Sequence, residues 1–299
     1  MSGSARGQSE TPLVSVLTPS FNQAAWLEDN LRSVARQTYP RIEHIVMDGG
    51  STDGSVEILD SAEPPVVWSS EPDEGQSHAL NKAYSVSSGD IIGWLNSDDA
   101  YYGRDVIERI VRYFAQHPHV DVVYGHAARV NARGRFIGIA RAPRFRLKTF
   151  RWFDYLIQPT VFLRRSVLPV EALVDERFQF AMDYKLFLDL ANSGCRFARV
   201  NRVIAIDRLH GTRKSQTWAH VADTDVARLA AEGSMDGFPS WLHRVWGIRH
   251  VWMRLAAVPQ VLMLPSEPAF HWVSERRIAM LWRQVLVRRS RMPEEERWL

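Results

Sequence analysis

Four short polar clusters contain the side chains best suited to chemistry, and each follows directly after an apolar run. They span residues 19–22, 48–53, 71–76 and 96–99 and are rich in Asp, Asn, Ser and Gly. The carboxylates of the last cluster are hard oxygen ligands that suit Mg²⁺ or Mn²⁺, ions that commonly share one or two carboxylates with diphosphate oxygens. A buried carboxylate such as Asp48 can also accept hydrogen bonds from a base N–H or a ribose hydroxyl. Each cluster alone is equally typical of a turn or a helix cap, but the four together favour a ligand-binding site.

The elements around these clusters alternate between strand and helix. The β-rich runs cover residues 13–18, 42–47, 65–69 and 91–95, and helical patterns cover 26–35, 54–59, 75–86 and 105–116. This alternation predicts an α/β fold with a mostly parallel sheet covered on both faces. Right-handed crossovers place the segments after the strands along one edge of the sheet, so Asp48, Asp73 and Asp98 should converge there. Pro19 is expected to end the first strand.

The second part of the chain has a different pattern. Two short β runs within residues 120–140 flank residues 131–134 and predict a hairpin. An amphipathic helix is predicted at 183–192, followed by a β-like segment at 196–207. Beyond about residue 235 the sequence becomes rich in tryptophan and arginine.

Composition narrows the class of protein. With 299 residues, 45% hydrophobic and 24% charged, the chain is typical of a folded protein with a substantial core. Cys195 is the only cysteine, which excludes an intramolecular disulfide and a cysteine-based zinc site and favours a reducing, cytoplasmic setting. The first 11 residues lack the apolar core of a signal peptide, and no apolar run approaches the roughly 20 residues that span a bilayer. A net charge of +3 is compatible with nucleic acid, an anionic membrane surface or a phosphate-rich small substrate.

Three segments together resemble family 2 glycosyltransferases of the GT-A fold. They are SVLTPSFN at 15–22, HIVMDGGSTDG at 44–54 and GDIIGWLNSDD at 89–99, and the resemblance extends over about residues 12–210. It implies a catalytic domain at 12–215, with a Rossmann-like nucleotide-binding half at about 12–100 and an acceptor-binding half at about 101–215. A disordered tail at 1–11 and a helical, Trp/Arg-rich extension at 216–299 are expected to flank it. The resemblance also implies inversion at the anomeric carbon of the transferred sugar.

The resemblance assigns candidate roles to individual residues. The residues implied to bind the nucleotide sugar are Pro19, Ser20, Asn22, Asp48, Gly49, Ser51, Asp53, Asp73, Gln76, Asn81, Lys82, Asn96 and Ser97. Asp98 takes the last position of the family's Asp-x-Asp motif for Mn²⁺ or Mg²⁺. Asn96 stands where the first aspartate of that motif is usual, and Asp99 is a candidate for the missing carboxylate. His210 is a further candidate metal or phosphate contact, with a structural histidine as the alternative.

The catalytic and acceptor residues follow in the same way. The segment FAMDYKL at 180–186 resembles the one that carries the family's general base, so Asp183 is the candidate base; a helix N-terminal carboxylate is the alternative. Gln158 and Arg208 are the candidates on the acceptor side.

The implied activity is transfer of a sugar from a nucleoside diphosphate sugar, with UDP favoured, to a hydroxyl of a glycan or lipid-linked acceptor. Such a reaction belongs to polysaccharide, glycolipid or other cell-surface glycan synthesis. Asn96 keeps open a catalytically silent nucleotide-sugar-binding or scaffold protein. A sugar nucleotidyltransferase is disfavoured because residues 19–22 lack a Gly-rich loop with Arg or Lys.

The C-terminal composition allows two interpretations. Tryptophan and arginine on amphipathic helices suit peripheral contact with the inner face of the cell membrane. Alternatively, the tryptophans pack on the catalytic domain or in a homodimer interface. Nucleic acid is not expected as a partner, because Glu294, Glu295 and Glu296 accompany the arginines and no nucleic-acid motif is present.

Overall fold

The computed structural model describes residues 11–152, 154–214 and 219–234. Nine strands form one sheet in the order β3-β2-β1-β4-β8-β6-β9-β5, with β7 paired to β6. The strands are β1 (Val14–Ser20), β2 (Ile42–Asp48), β3 (Val67–Ser70), β4 (Ile91–Trp94), β5 (Ala100–Tyr101), β6 (Val122–Asn131), β7 (Phe136–Ala140), β8 (Phe162–Arg164) and β9 (Phe197–Leu209). The helices are α1 (Ala24–Ala35), α2 (Ser55–Asp60), α3 (Gln76–Val86), α4 (Val106–Gln116), α5 (Leu147–Phe150), α6 (Met182–Asn192) and α7 (Ala219–Ala231).

The first four strands are parallel and adjacent, as the alternation predicts. β1 lies between β2 and β4, and β2 pairs with β3, all in parallel register. Period-two alternation along β1 divides the core between the two faces of the sheet. Val16 packs with Ile110 of α4 on one face, and Leu17 packs with Leu80 of α3 on the other.

The expectation that Pro19 ends the first strand is wrong, since β1 continues to Ser20. The Ser20 carbonyl accepts from Gly49 N on the β2 side, and the Leu17 carbonyl accepts from Leu95 N on the β4 side. The backbone N–H and C=O groups of successive residues in a strand point to opposite sides. The Pro19 nitrogen therefore points to the same side as the Leu17 carbonyl, toward β4. Because β4 pairs with β1 only as far as Leu17, the missing N–H of Pro19 breaks no bond of the ladder.

The second half of the sheet is mixed in direction. β8 is antiparallel to β4, β6 is antiparallel to β8, and β9 is parallel to β6. The predicted hairpin is confirmed as β6–β7, and the predicted helix at 183–192 is α6. The sheet and its helices therefore form an α/β fold that holds the carboxyl ends of β1, β2, β3 and β4 side by side.

The two ends of the chain fall largely outside this description. Residues 1–10 and 235–299 lie outside the described residues, so the predicted tail and most of the predicted extension are untested. α7 is the described part of that extension. Within the described ranges, no helix is long and apolar enough to cross a membrane.

Candidate functional site

Asp48 organises the loop at the carboxyl end of β2. Its buried carboxylate accepts hydrogen bonds from Gly50 N (3.1 Å) and Ser51 N (2.8 Å) and from the hydroxyls of Ser51 (2.6 Å) and Ser70 (2.7 Å). Four donors from the protein itself occupy both oxygens. Asp48 therefore fixes the loop between β2 and α2 and ties it to the end of β3.

Asn22, Ser51 and Asp53 hold the neighbouring loop after β1. Asn22 has a left-handed backbone (φ 52°); its N donates to Ser51 Oγ (2.7 Å), and its Oδ1 accepts from Thr52 N (3.0 Å). Asp53 accepts from Ala24 N, at the start of α1, and from Ser55, at the start of α2. Burial opposes ionisation of Asp53, but these hydrogen bonds prevail and lower its pKa. The three predicted ligand residues thus build the loops of the site.

Gly49 and Asp73 fit together at the edge of the sheet. A Cβ on Gly49 would lie 2.8 Å from Asp73 Oδ2, so the Asp73 carboxylate occupies the space of a side chain at position 49. Asp73 Oδ1 accepts from Gly75 N at 2.8 Å, while Oδ2 has no hydrogen-bond partner among the described residues. Ser20, whose carbonyl binds Gly49 N, likewise has a buried hydroxyl without a partner there. Ser20 Oγ and Asp73 Oδ2 are therefore the polar atoms of this corner without a partner among the described residues.

Asn96 belongs to a network of amides at the end of β4. Its Oδ1 accepts from Trp94 Nε1 and from Gln76 Nε2, both at 2.8 Å. Its Nδ2 donates to Gln158 Oε1 at 3.0 Å, and Gln158 Nε2 donates to the Trp94 carbonyl at 2.7 Å. Protein groups thus already use both acceptor positions of Asn96 Oδ1 and one N–H of its Nδ2. Gln76, Asn96 and Gln158, placed apart by the sequence, lie together.

Asp98 and His210 form the second part of the site. His210 Nε2 lies 2.8 Å from Asp98 Oδ2, and His210 Nδ1 lies 2.9 Å from Thr212 Oγ1. The ring of Trp26 packs on the imidazole, with centroids 3.9 Å apart. The histidine side chain is 2% exposed, whereas that of Asp98 is 17% exposed, so the carboxylate faces the open side.

This pair fits a divalent metal that a phosphorylated ligand helps to hold. Among residues 11–152, 154–214 and 219–234, no three His, Cys, Asp or Glu side chains form a metal cluster by themselves. Mg²⁺ and Mn²⁺ at nucleotide sites use one or two protein carboxylates with substrate phosphates; Asp98 supplies one such carboxylate, and His210 Nε2, now 2.8 Å from it, is a nitrogen donor beside it.

Asp99 and Arg208 support the loop rather than line it. Asp99 is buried, and its Oδ1 accepts from Arg208 N at 3.1 Å. Burial, with the charges of Asp98 and Asp207, raises the pKa of Asp99 well above its ordinary value, and its role as the second metal carboxylate stays a prediction. Arg208 was expected on the acceptor side, but its buried guanidinium donates to the Asp98 carbonyl and pairs with Asp29 at 2.9 Å. Its contacts anchor the Asp98 loop.

Asp183 lies in the first turn of α6. It is half-buried, and its Oδ1 accepts from Tyr184 N at 2.8 Å. Desolvation raises its pKa above the ordinary value, while hydrogen bonds from backbone N–H groups and the charges of Lys214 and Arg213 oppose that rise. Burial lowers the pKa of Lys214 to about 8, with Asp183 and Asp225 opposing. A carboxyl group with a raised pKa is suited to accept a proton near neutral pH.

Lys214 and Asp225 are functional candidates that the sequence pattern did not reveal. Lys214 Nζ donates to Gln76 Oε1 at 3.2 Å and so links the surroundings of Asp183 to the amide network. Asp225, buried on α7, accepts from Phe180 N (2.7 Å) and Ala181 N (3.0 Å), directly before Asp183. Asp225 stands in no recognisable motif, because its contacts depend on long-range packing.

Three residues predicted to bind the nucleotide sugar make no contact that assigns them this role. Asn81 bonds the backbone of Val174 through both its amide atoms, and Lys82 forms a surface pair with Glu71 at 3.4 Å. These contacts tie α3 to neighbouring loops, and the role of both residues in nucleotide-sugar binding stays a prediction. Ser97 is buried between Asn96 and Asp98.

The chain is similar in sequence to known glycosyltransferases. The chain is 41% identical over 116 residues to an uncharacterised glycosyltransferase of Mycobacterium tuberculosis, a match that covers 38% of this chain and 44% of that relative. It is 27% identical over 177 residues to a PGL/p-HBAD biosynthesis glycosyltransferase of Mycobacterium bovis, covering 58% of this chain and 67% of the relative. The chain thus spans less than half the length of the first of these relatives.

Solved structures share the fold. A mannosyltransferase from Pyrobaculum calidifontis, in complex with GDP-Man and Mn²⁺, superposes with a TM-score of 0.58 at 20% identity, over 92% of this chain and 80% of that one. Residues 1–349 of S. aureus TarS, in complex with UDP-GlcNAc, superpose with a TM-score of 0.57 at 19% identity, over 85% of this chain and 68% of that one. The fold is therefore the predicted GT-A fold.

The sequence profile of the family described as Glycosyl transferase family 2 matches residues 15–168. These residues carry β1, β2, β3 and β4 and the loops that form the site described above. The chain therefore belongs to glycosyl transferase family 2.

Proposed function

We propose that the chain transfers a sugar from a nucleoside diphosphate sugar to a hydroxyl group, with inversion at the anomeric carbon. The observation that carries this proposal is the position of Asp183. Its carboxylate, with a raised pKa, neighbours Lys214, which is hydrogen-bonded through Gln76 to Asn96 at the end of β4. A base and a donor corner at one edge of the sheet are the two parts that an inverting transfer requires.

The donor is proposed to bind at the ends of β1, β2 and β3. The unpartnered hydroxyl of Ser20, at the end of β1, and the free carboxylate oxygen of Asp73 would serve a base or ribose, beside the loop that Asp48 holds in place. A UDP-sugar is the favoured donor, with a GDP-sugar as the alternative, since fold neighbours are described in complex with UDP-GlcNAc and with GDP-Man.

The diphosphate of the donor is proposed to lie over Asp98 and His210. These two residues would hold Mn²⁺ or Mg²⁺, and the mannosyltransferase that shares the fold is described with Mn²⁺. Such an ion neutralises the charge that develops on a departing diphosphate. Arg208 keeps the Asp98 backbone in place for this contact.

The chemical step is proposed to proceed by direct displacement. The acceptor oxygen forms a bond to the anomeric carbon as the bond from that carbon to the diphosphate oxygen breaks, and the electron pair leaves with the diphosphate. Asp183 takes the proton of the acceptor hydroxyl. The positive charge of Lys214 favours the ionised form of Asp183 and so opposes the effect of desolvation.

The acceptor class is proposed from the relatives. The named relatives include a PGL/p-HBAD biosynthesis glycosyltransferase and a chondroitin synthase of Pasteurella multocida. A glycan or lipid-linked acceptor in cell-surface glycan synthesis is consistent with both. Contact with a membrane and formation of a homodimer remain predictions, because the residues that prompted them lie beyond residue 234.

A catalytically silent nucleotide-sugar-binding protein is the second candidate, and the hydrogen-bonded Asn96 in the metal motif is the observation that favours it. Calorimetric titration of UDP, dTDP and GDP, each with and without Mn²⁺, tests the donor site. We expect Mn²⁺-dependent binding of one nucleotide, weakened at least tenfold in Asp98→Asn and unchanged in Asp60→Asn, an exposed aspartate on α2. Absence of binding to all three nucleotides would reject the donor site.

A further inference from the structure

Three arginines crowd together in the second half of the sheet, outside the site described above. Arg141 and Arg144 lie on the loop after β7, and Arg199 lies on β9. The Arg199 Nη1 atom donates to the carbonyl of Ala142 at 3.2 Å, between the other two in sequence. We refer to Arg141, Arg144 and Arg199 as the arginine cluster.

The charge of this cluster is not compensated at Arg141. Its Nη1 atom is enclosed and has no hydrogen-bond partner, and among the described residues no carboxylate forms an ion pair with Arg141 or Arg144. Burial lowers the pKa of Arg141, and the neighbouring charge of Arg199 lowers it further. Burial also lowers the pKa of Arg199; Tyr124 opposes this shift and Arg144 adds to it. A half-buried guanidinium without a counter-charge, such as that of Arg141, is unfavourable unless an anion binds it.

The backbone that carries the cluster is held at two points. Ala142 N donates to His126 Nδ1 at 3.2 Å, and the other imidazole nitrogen lies 3.0 Å from Asn201 Oδ1. Burial lowers the pKa of His126 to about 4, so this histidine is neutral at pH 7 and adds no charge. The hydroxyl of Tyr124 donates to the Pro143 carbonyl at 2.8 Å. The loop that carries Arg141 and Arg144 is therefore held in place beside Arg199, as a preformed binding site requires.

The cluster lies beside the part of the sheet that carries Gln158. Tyr124 and His126 flank Gly125, whose N and O atoms both contact Thr160 Oγ1, at 3.3 and 3.2 Å. Thr160 shares a short 3-10 turn with Gln158, which donates to the end of β4 and accepts from Asn96. Strand β6 thus lies between Arg199 on β9 and the turn that carries Gln158, which belongs to the amide network.

We propose that the arginine cluster binds a phosphate group, as a monoester, diester or diphosphate. Guanidinium groups match the geometry of phosphate oxygens and form paired hydrogen bonds with them. If the proposed sugar transfer is correct, on which this part of the inference rests, the phosphate belongs to the acceptor. The enzyme would then act on an anionic acceptor, either a lipid-linked phosphate or a phosphodiester polymer.

The test is a direct binding measurement in EDTA, which removes any metal-dependent donor binding. Geranyl diphosphate and a glycerol phosphate oligomer are the two anionic probes, and geraniol is the uncharged one. We compare the wild type with Arg141→Gln/Arg144→Gln and with the control Arg36→Gln/Arg112→Gln, which removes two exposed arginines elsewhere. We expect at least one anionic probe to bind, with affinity tenfold or more lower in the cluster variant and unchanged in the control.

Each outcome has a defined meaning. Loss of geranyl diphosphate binding in the cluster variant identifies a lipid-linked phosphate, and loss of oligomer binding identifies a phosphodiester polymer. Equal binding by the cluster variant and the wild type, equal binding of geraniol, or no anionic binding overturns the inference. Thermal unfolding and Mn²⁺-dependent nucleotide binding of the cluster variant show that it is folded. Because the probes are titrated in EDTA, a failed phosphate site and a failed donor site are recorded separately.

Discussion

Replacement of Asn96 by aspartate separates two roles for this position. If Asn96 merely occupies a metal-ligand position, Asn96→Asp restores the usual motif of the family and strengthens Mn²⁺ binding. If Asn96 is a framework residue, the substitution removes a donor from a closed network. The distances favour the second role, since Oδ1 already accepts two hydrogen bonds and Nδ2 already donates one.

The expected loss of stability follows from the hydrogen bonds that an aspartate at position 96 can make. Its two oxygens keep the contacts with Trp94 and Gln76 but meet Gln158 Oε1, 3.0 Å from the present nitrogen. If Gln158 turns its amide, its nitrogen donates to the new carboxylate but no longer reaches the Trp94 carbonyl, now 2.7 Å away. One hydrogen bond is lost either way, with a buried acceptor left unpaired, which lowers the free energy of unfolding by about 1–3 kcal/mol. For a domain of this size, that corresponds to roughly 2–12 °C in Tm.

Differential scanning fluorimetry with and without Mn²⁺ measures the change in Tm. Titration of Mn²⁺ in the presence of nucleotide measures the metal affinity. We expect Asn96→Asp to lower Tm without strengthening Mn²⁺ affinity. The matched control is Asn192→Asp, which changes an amide at the end of α6. A variant of unchanged Tm that binds Mn²⁺ tenfold more tightly would refute the framework role.

Three further substitutions test the donor corner and the base. Gly49→Ala places a Cβ 2.8 Å from Asp73 Oδ2, so we expect nucleotide affinity in calorimetry to fall about tenfold, or ~1.4 kcal/mol. Unchanged affinity would show that Asp73 does not contact the base or the ribose. Lys214→Gln removes a charge that favours ionised Asp183, so the pKa of Asp183 rises. The acid limb of the pH–rate profile then moves to higher pH. An acid limb at unchanged pH would contradict the coupling of Lys214 to Asp183. Asp225→Ala leaves two backbone N–H groups unpaired, and we expect kcat to fall about tenfold with donor KM unchanged. Asp225→Asn keeps the acceptor oxygen and should restore most of that kcat, whereas equal loss in both variants would indicate a role for the charge.

The sequence predicted the convergence of distant polar clusters because parallel strands impose it. Once β2, β3 and β4 are recognised, their carboxyl ends must share an edge, and Asp48 and Asp98 follow. The contact between Gly49 and Asp73 could not be predicted, because it depends on how the loop after β3 folds across β2. Pro19 was misjudged because its effect depends on where the neighbouring strand stops.

The roles of individual side chains were harder to predict than their positions. Asp48 and Asn96 stand at the motif positions that the sequence indicated, yet protein donors and acceptors already use their polar atoms. Arg208 was expected on the acceptor side, but its guanidinium donates to the carbonyl of Asp98 instead. Asp225 lies 42 residues after Asp183, on a helix with no recognisable signal. Long-range hydrogen bonds of this kind leave no local periodicity in the sequence.

The most direct test of the proposed activity is turnover of the donor. Purified protein with Mn²⁺ is incubated with UDP- and GDP-sugars, and release of free nucleoside diphosphate is followed by chromatography for the wild type, Asp183→Asn and the surface control Asp189→Asn. The proposal predicts release from one donor by the wild type and the control, and a decrease of at least a hundredfold in Asp183→Asn with nucleotide affinity retained. Equal release by Asp183→Asn and the wild type would contradict the assignment of Asp183 as the base, and absence of release from every donor, with or without added glycan acceptors, would contradict sugar transfer itself.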